Sequence, residues 1–167
     1  MPRRATASAH ELRPEALPLS HLAYFVGLAA NRHLSSEMRE AGYGDVRESH
    51  GFLIQHLLRG PHSVGELAGL LGVTQQAVSK SVAELSLGGY VESAPSEDAR
   101  VRLVQLSERG HACVLCSRKL RDRLERRLAK ALGPRRVKEA QKALAEALAV
   151  LGGVEAVRQR RVPPPSE

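Results

Sequence analysis

The sequence predicts a mostly α-helical chain interrupted by one small β-hairpin. Three observations lead there. Hydrophobic residues make up 43% of the chain but aromatic ones only 3%, with no Trp, so the core must be built from Leu, Val and Ala, which suits packed helices better than a large sheet. Apolar residues recur at helical spacing in segments punctuated by Gly-Tyr-Gly, Gly-Pro and Gly-Gly. One polar, turn-rich octapeptide, SAPSEDAR at 93–100, lies between two short apolar runs and reads as a hairpin tip.

Taken in order, residues 1–17 lack periodicity and are expected to form a flexible N-terminal arm. A first helix runs from Leu19 to about Ala41 through Leu22, Phe25, Val26, Ala29, Ala30, Leu34 and Met38, and Gly42 to Gly44 stop it. Asp45 followed by Glu48 has capping-box spacing and predicts a second helix carrying Phe52, Leu53, Ile54, Leu57 and Leu58. Ser63 and Glu66 repeat that spacing and open a third, with Leu67, Ala68, Leu70 and Leu71 facing inward. Gly72 permits a tight turn, and Thr74 caps a fourth helix reaching about Leu87.

Two short helices joined by a brief glycine turn form a helix-turn-helix. Tyr90 to Glu92 and Val101 to Leu106 predict the hairpin strands. Ser107 caps a long helix from Glu108 to Leu132, Gly133-Pro134 breaks it, and a last helix uses Val137, Ala140, Leu144, Leu148 and Leu151. The resulting fold is a winged helix-turn-helix flanked by long helices. Its expected parts are the arm (1–17), a first dimerisation helix (18–44), a DNA-binding lobe (45–107), further dimerisation helices (108–155) and a disordered basic, Pro-rich tail (156–167).

The fourth helix carries the functional argument. At 100° per residue, Val78, Val82 and Leu85 fall within about 60° of each other and form a core seam. Gln76, Ser79, Lys80 and Ala83 take the opposite side, Gln75 sits at the exposed first turn, and Glu84 points elsewhere. Glutamine pairs with adenine edges, serine with base or phosphate acceptors and lysine with guanine or phosphate, while alanine allows close approach. The hairpin adds Arg100 at its tip and Arg102 on the returning strand. An exposed arginine there suits the narrow minor groove, and Asp98 is placed to hold its guanidinium. The net charge of +7 suits a polyanionic partner.

The stretch SVGELAGLLGVTQQAVSKSVAELSLGGYV followed by SEDARVRLVQLSERG resembles the winged-helix core of the MarR family of bacterial transcriptional regulators. The resemblance covers the helix-turn-helix, the Asp98-Ala99-Arg100 wing and the Leu-Ser-Glu-Arg-Gly start of the next helix. With the flanking helices it extends over roughly residues 19–152. It implies a homodimer whose first and last helices interlock, gripping a pseudo-palindromic operator. It also implies a small-molecule effector in a cleft between the dimer helices and the DNA-binding lobe, and no catalysis. Many members have a doubly basic wing and basic residues just after the recognition helix, where this chain has Asp98-Ala99-Arg100 and Glu92-Ser93.

Independently of the family, Leu120, Leu124, Leu128 and Leu132 form a ridge that a two-fold partner would cover. Cys113 and Cys116 have CxxC spacing inside a helix, without the strand-to-helix context of a thioredoxin-like site. A redox-sensing role is a better reading than an enzyme, since Arg118 and Lys119 lie near, while a free Cys more often packs as a small buried hydrophobe. His33 and His56 are candidates to line a ligand cleft. His111, Cys113 and Cys116 do not make a good chelate, because positions 111 and 113 lie about 200° apart on a helix. Neither a resident metal nor a cofactor is expected.

No apolar run approaches the about 18–20 residues of a membrane span, and the N-terminal segment lacks a signal-peptide core, so a cytoplasmic protein is expected. The resulting expectation is a homodimeric DNA-binding repressor, released by a small ligand. Thr74, Gln75, Gln76, Ser79, Lys80, Arg100 and Arg102 would contact DNA. A thiol-based regulator and a winged-helix protein-interaction module are the alternatives.

Overall fold

The computed structural model describes residues 13–98 and 100–161. Seven α-helices and three short strands appear among these residues: α1 (Leu19–Glu40), α2 (Glu48–Leu57), β1 (His62–Ser63), α3 (Val64–Leu71), α4 (Gln75–Leu87), β2 (Val91–Ala94), β3 (Leu103–Leu106), α5 (Glu108–Leu132), α6 (Pro134–Val150) and α7 (Val154–Gln159). The strands form one antiparallel sheet in the order β1-β3-β2, with Val91 opposite Leu106 and Ala94 opposite Leu103.

Local chemistry places the helix-turn-helix. Ser63 Oγ accepts from the Glu66 N–H at 3.2 Å while Glu66 Oε2 accepts from the Ser63 N–H at 2.7 Å, a complete capping box opening α3. Gly72 ends the helix at φ +70°, a left-handed conformation that an L side chain resists. Thr74 Oγ1 then accepts from the Ala77 N–H at 3.2 Å and starts α4. The core beneath is aliphatic: Leu53, Ile54, Leu57, Leu67, Leu71, Val78, Leu85, Val91 and Leu106 are all buried, with Tyr90 among them.

Several expectations need correction. Asp45 does not cap α2. Arg47 holds the N-cap position, and the Nδ1 of His50 accepts the Arg47 backbone N–H at 3.2 Å in place of a carboxylate. Asp45 turns instead to the hydroxyl of Tyr90. Leu70 is exposed rather than buried. The first hairpin strand runs two residues past the expected Tyr90–Glu92, to Ala94, the second starts at Leu103 rather than Val101, and β1, only two residues long, pairs with β3 through His62–Val104 and Ser63–Leu103. So short a strand has no periodicity to read.

At the ends, Pro14–Ala16 form a turn of 3-10 helix within the segment expected to be a flexible arm, with the Ala16 N–H bonded to the Arg13 carbonyl at 2.9 Å. Residues 1–12 of that arm, and 162–167 of the expected tail, lie outside the described residues. Residues 156–159 of that tail are helical, as part of α7, and Ala156 and Val157 line a cleft. Gly152, at φ +73°, makes the turn from α6 into α7.

The flanking helices bury little of their apolar surface. Of the stripe expected on α1, only Leu34 is buried, while Phe25 and Val26 are more than half exposed. Leu120 of the α5 ridge is buried, Leu124 is half-buried, and Leu128 and Leu132 are exposed. No residue of α6 is buried. No helix among the described residues is long and apolar enough to cross a membrane.

Candidate nucleic-acid interface and effector cleft

The face of α4 turned away from the core is polar and open. Gln75, Gln76, Ser79, Lys80 and Ala83 are exposed, while Val78 and Leu85 are each 1% exposed and Val82 packs partly against the core. Thr74 is also exposed, with its hydroxyl committed to the cap. A Cβ on Gly65 would lie 3.6 Å from Gln75 Nε2, so the Gln75 amide rests beside the start of α3.

The one carboxylate of α4 is held off this face. Glu84 Oε2 receives the Nε2 of His50 at 3.0 Å and forms an ion pair with Arg47. Since His50 Nδ1 accepts from the Arg47 N–H, a neutral imidazole must carry its proton on Nε2 and donate it to Glu84. Burial, and then the Arg47 charge, push the His50 pKa below 6.5, which favours that neutral form. Sequence reasoning missed this cluster, because its members are joined by tertiary packing rather than spacing.

At the hairpin tip, the role expected of Asp98 changes. Its Oδ1 accepts the Arg100 backbone N–H at 2.8 Å, not the guanidinium. Its carbonyl accepts from Val101 N–H at 2.9 Å and from Ser96 Oγ at 2.9 Å. Asp98 thus shapes the turn and leaves the Arg100 side chain projecting. Arg100 and Arg102 are both exposed.

The lobe joins the long helices through a polar knot that the sequence did not announce. The Tyr90 hydroxyl donates to Asp45 Oδ1 at 2.5 Å, and Arg109 Nη2 donates to the same hydroxyl at 3.1 Å and to the Gly42 carbonyl at 3.0 Å. The Arg109 guanidinium stacks 4.8 Å from the Tyr90 ring centre and 5.5 Å from that of Tyr43. Burial and the Asp45 bond push the Tyr90 pKa up to about 12, so it remains a donor. Ser107 caps α5 at the Gly110 N–H, and its own hydroxyl donates to the Gly89 carbonyl.

A cleft of about 680 Å³ opens among α1, α2, α5 and α7. Leu34, Met38, Phe52, Ile54 and Val114 supply apolar walls, and Asn31, Ser35, Gln55 and Ser117 supply polar groups. Neither His33 nor His56, the expected cleft residues, is among its lining. His33 pairs loosely with Glu37 at 3.9 Å. His56 is buried, and its Nε2 has no hydrogen-bond partner among the described residues.

Cys113 lines the cleft but is 3% exposed, and burial, reinforced by Cys116, pushes its pKa up to about 11. A thiol held in that way is a poor nucleophile at neutral pH. Cys116 is half-buried. No cluster of three or more His, Cys, Asp or Glu among the described residues is arranged to hold a metal ion.

Comparison with known proteins agrees with this architecture. Residues 48–100 match the model of the MarR family. Among solved structures, reduced MarR from E. coli is 25% identical with a TM-score of 0.63, covering 79% of this chain and 97% of that one. A MarR mutant from E. coli complexed with operator DNA is 25% identical with a TM-score of 0.59, covering 80% and 96%. MepR, the regulator of a Staphylococcus aureus multidrug efflux pump, is 16% identical with a TM-score of 0.65, covering 81% and 99%. No curated protein matches the chain significantly. The chain carries the MarR-family winged-helix fold, matched by sequence from α2 through the helix-turn-helix to the wing tip and by structure across about four-fifths of its length.

Proposed function

We propose that this protein is a DNA-binding transcriptional regulator that acts as a homodimeric repressor and is released by a small-molecule ligand. The observation that carries the reading is the outer face of α4. Its amides, hydroxyl and single ammonium are exposed, and its only carboxylate is engaged elsewhere by His50 and Arg47. Such a face meets base edges in the major groove without electrostatic opposition from phosphates. Arg100 would enter the minor groove and Arg102 would meet the backbone, with Thr74 near a phosphate. The likeness to a MarR structure holding operator DNA supports the same partner.

Dimerisation is supported by uncovered apolar side chains on the flanking helices. Tyr24, Phe25 and Leu28 of α1, Leu128 and Leu132 of α5, and Leu144 of α6 are each more than a third exposed. A two-fold partner would cover them. The parts then divide as a DNA-binding lobe over 45–107 and dimerisation helices over 18–44 and 108–155. The buried Cys113 thiol favours ligand control over oxidation.

Operator titration by fluorescence anisotropy at fixed salt tests the reading. Arg100→Ala should weaken binding by about 1–3 kcal/mol and lower the slope of log K against log salt by about one. Unchanged affinity and slope would remove Arg100 from the interface.

A further inference from the structure

The positive charge of the chain lies away from its winged helix. The whole chain carries a net +7. Residues 45–107, which hold the helix-turn-helix and the wing, have five Arg or Lys against seven Asp or Glu, a net −2. Residues 118–142, in α5 and α6, have eleven against three, a net +8. These are separate parts of the fold, since α5 packs on α1, α6 and β3 whereas α4 packs on α2, α3 and β2.

On α5 the charge is sorted by face. At 100° per residue, Lys119, Arg123, Arg126 and Lys130 fall within about 60° of each other. No other side chain of residues 117–132 shares that sector, and all four are exposed. Arg118 and Arg121 turn away, into the cleft, and the exposed Leu128 and Leu132 lie on the opposite side of the helix. Arg123 is tied to Glu37 of α1 at 3.4 Å, but Lys119, Arg126 and Lys130 pair with no carboxylate among the described residues. On α6, by contrast, Arg135 and Lys142 are paired with Glu139 and Glu146. The α5 row is about 16 Å long, the reach of about five phosphates on one strand of duplex DNA.

We propose that the face of α5 formed by Lys119, Arg123, Arg126 and Lys130 is a second DNA-binding surface, which holds duplex DNA by its phosphates without reading sequence. The partner must supply a line of anions. A second copy does not, since it brings the same +7 and the same row. An anionic membrane would take apolar side chains beside the charges, and beyond Lys119 those face the other way. Single strands are held on stacked aromatic rings, and α5 and α6 contain no Phe, Tyr or Trp. A straight helical row of guanidinium and ammonium groups matches the regular phosphates of a duplex. The surface does not depend on α4 being a recognition helix.

The test uses the full chain and a short mixed-sequence DNA duplex, with affinity followed by anisotropy across a salt series. The background is Lys80→Gln/Arg100→Gln/Arg102→Gln, which removes the basic groups of the lobe and should still bind the duplex. Adding Lys119→Gln/Arg126→Gln/Lys130→Gln should weaken that binding at least about tenfold and lower the slope of log K against log salt by about two to three. The charge-keeping change Lys119→Arg/Arg126→Lys/Lys130→Arg should preserve it. A background variant that binds no duplex, or a glutamine triple that binds like its parent, would overturn the proposal. So would loss of binding in the charge-keeping variant, or tighter binding to single-stranded RNA or to phosphatidylglycerol vesicles than to the duplex. Sedimentation of the glutamine triple in the wild-type lobe should match wild type, and dissociation would make the row a seam between copies instead. Failure to select an operator, measured separately, would sink the regulator reading and leave this surface standing.

Discussion

The hydroxyl of Tyr90 donates to Asp45 Oδ1 at 2.5 Å while receiving Arg109 Nη2 at 3.1 Å. Tyr90 follows α4, Asp45 precedes α2, and Arg109 opens α5, so one phenol links three segments. The same arginine reaches the Gly42 carbonyl just beyond α1. The orientation of the lobe against the long helices is set at this knot. Tyr90→Phe keeps the buried ring and removes the hydroxyl. Hydrogen bonds to charged groups contribute about 1.5–3 kcal/mol, and exposure of Asp45 to solvent places the loss near the lower end. Urea titration measures it. An unchanged midpoint would mean that the knot is ornamental to stability.

Of the glycines described, Gly110 permits the closest approach. A Cβ built there would lie 2.1 Å from the Tyr90 carbonyl oxygen, a backbone atom that cannot step aside. Gly110→Ala should therefore destabilise by about 1–3 kcal/mol or more through overpacking. Thermal unfolding checks this. A variant melting with wild type would show that α5 shifts at no cost.

The pH dependence follows from His50. Burial and Arg47 hold its folded pKa below 6.5, and burial holds that of His56 down as well. Between the folded and unfolded values the unfolded chain binds more protons, so stability is complete above 6.5 and is lost as pH falls through the folded pKa. The melting temperature should decline from about pH 7 to pH 5, and the decline should be shallower in His50→Gln. An identical slope in wild type and variant would contradict a His50 whose pKa is lowered in the fold.

The two thiols should differ in reactivity. With Cys113 buried and its pKa pushed up to about 11, labelling of the native protein by a disulfide reagent should modify Cys116 and spare Cys113. In Cys116→Ser the remaining thiol should react only after denaturation. Rapid native labelling of that variant would restore the oxidation switch as a serious alternative.

The helix-turn-helix was largely legible because its signals are local. Ser63 with Glu66, Gly72 and Thr74 each act within four residues, and the Val78, Val82 and Leu85 seam is plain periodicity. The hidden features depend on distant parts of the chain. Asp45 looked like a cap because spacing was right, but its bond goes to Tyr90, far along the sequence. The wing carboxylate of Asp98, expected to hold the Arg100 guanidinium, reaches the nearer Arg100 backbone N–H instead. A cleft was expected from the resemblance, but its lining was unreadable because α7 reaches it only after the chain reverses at Gly152. Arg118 and Arg121, one helical turn apart and in line with Val114, were the one legible hint.

The central claim is that the exposed face of α4 and the wing arginines read a specific duplex in two-fold symmetry. Selection of bound duplexes from a random pool by the full chain, at fixed salt, tests it most directly. A pseudo-palindromic site should be enriched. In Gln76→Ala/Ser79→Ala that enrichment should be lost while weak, salt-sensitive binding persists. Recovery of no preferred sequence by the wild type, or an unchanged site with the variant, would contradict it.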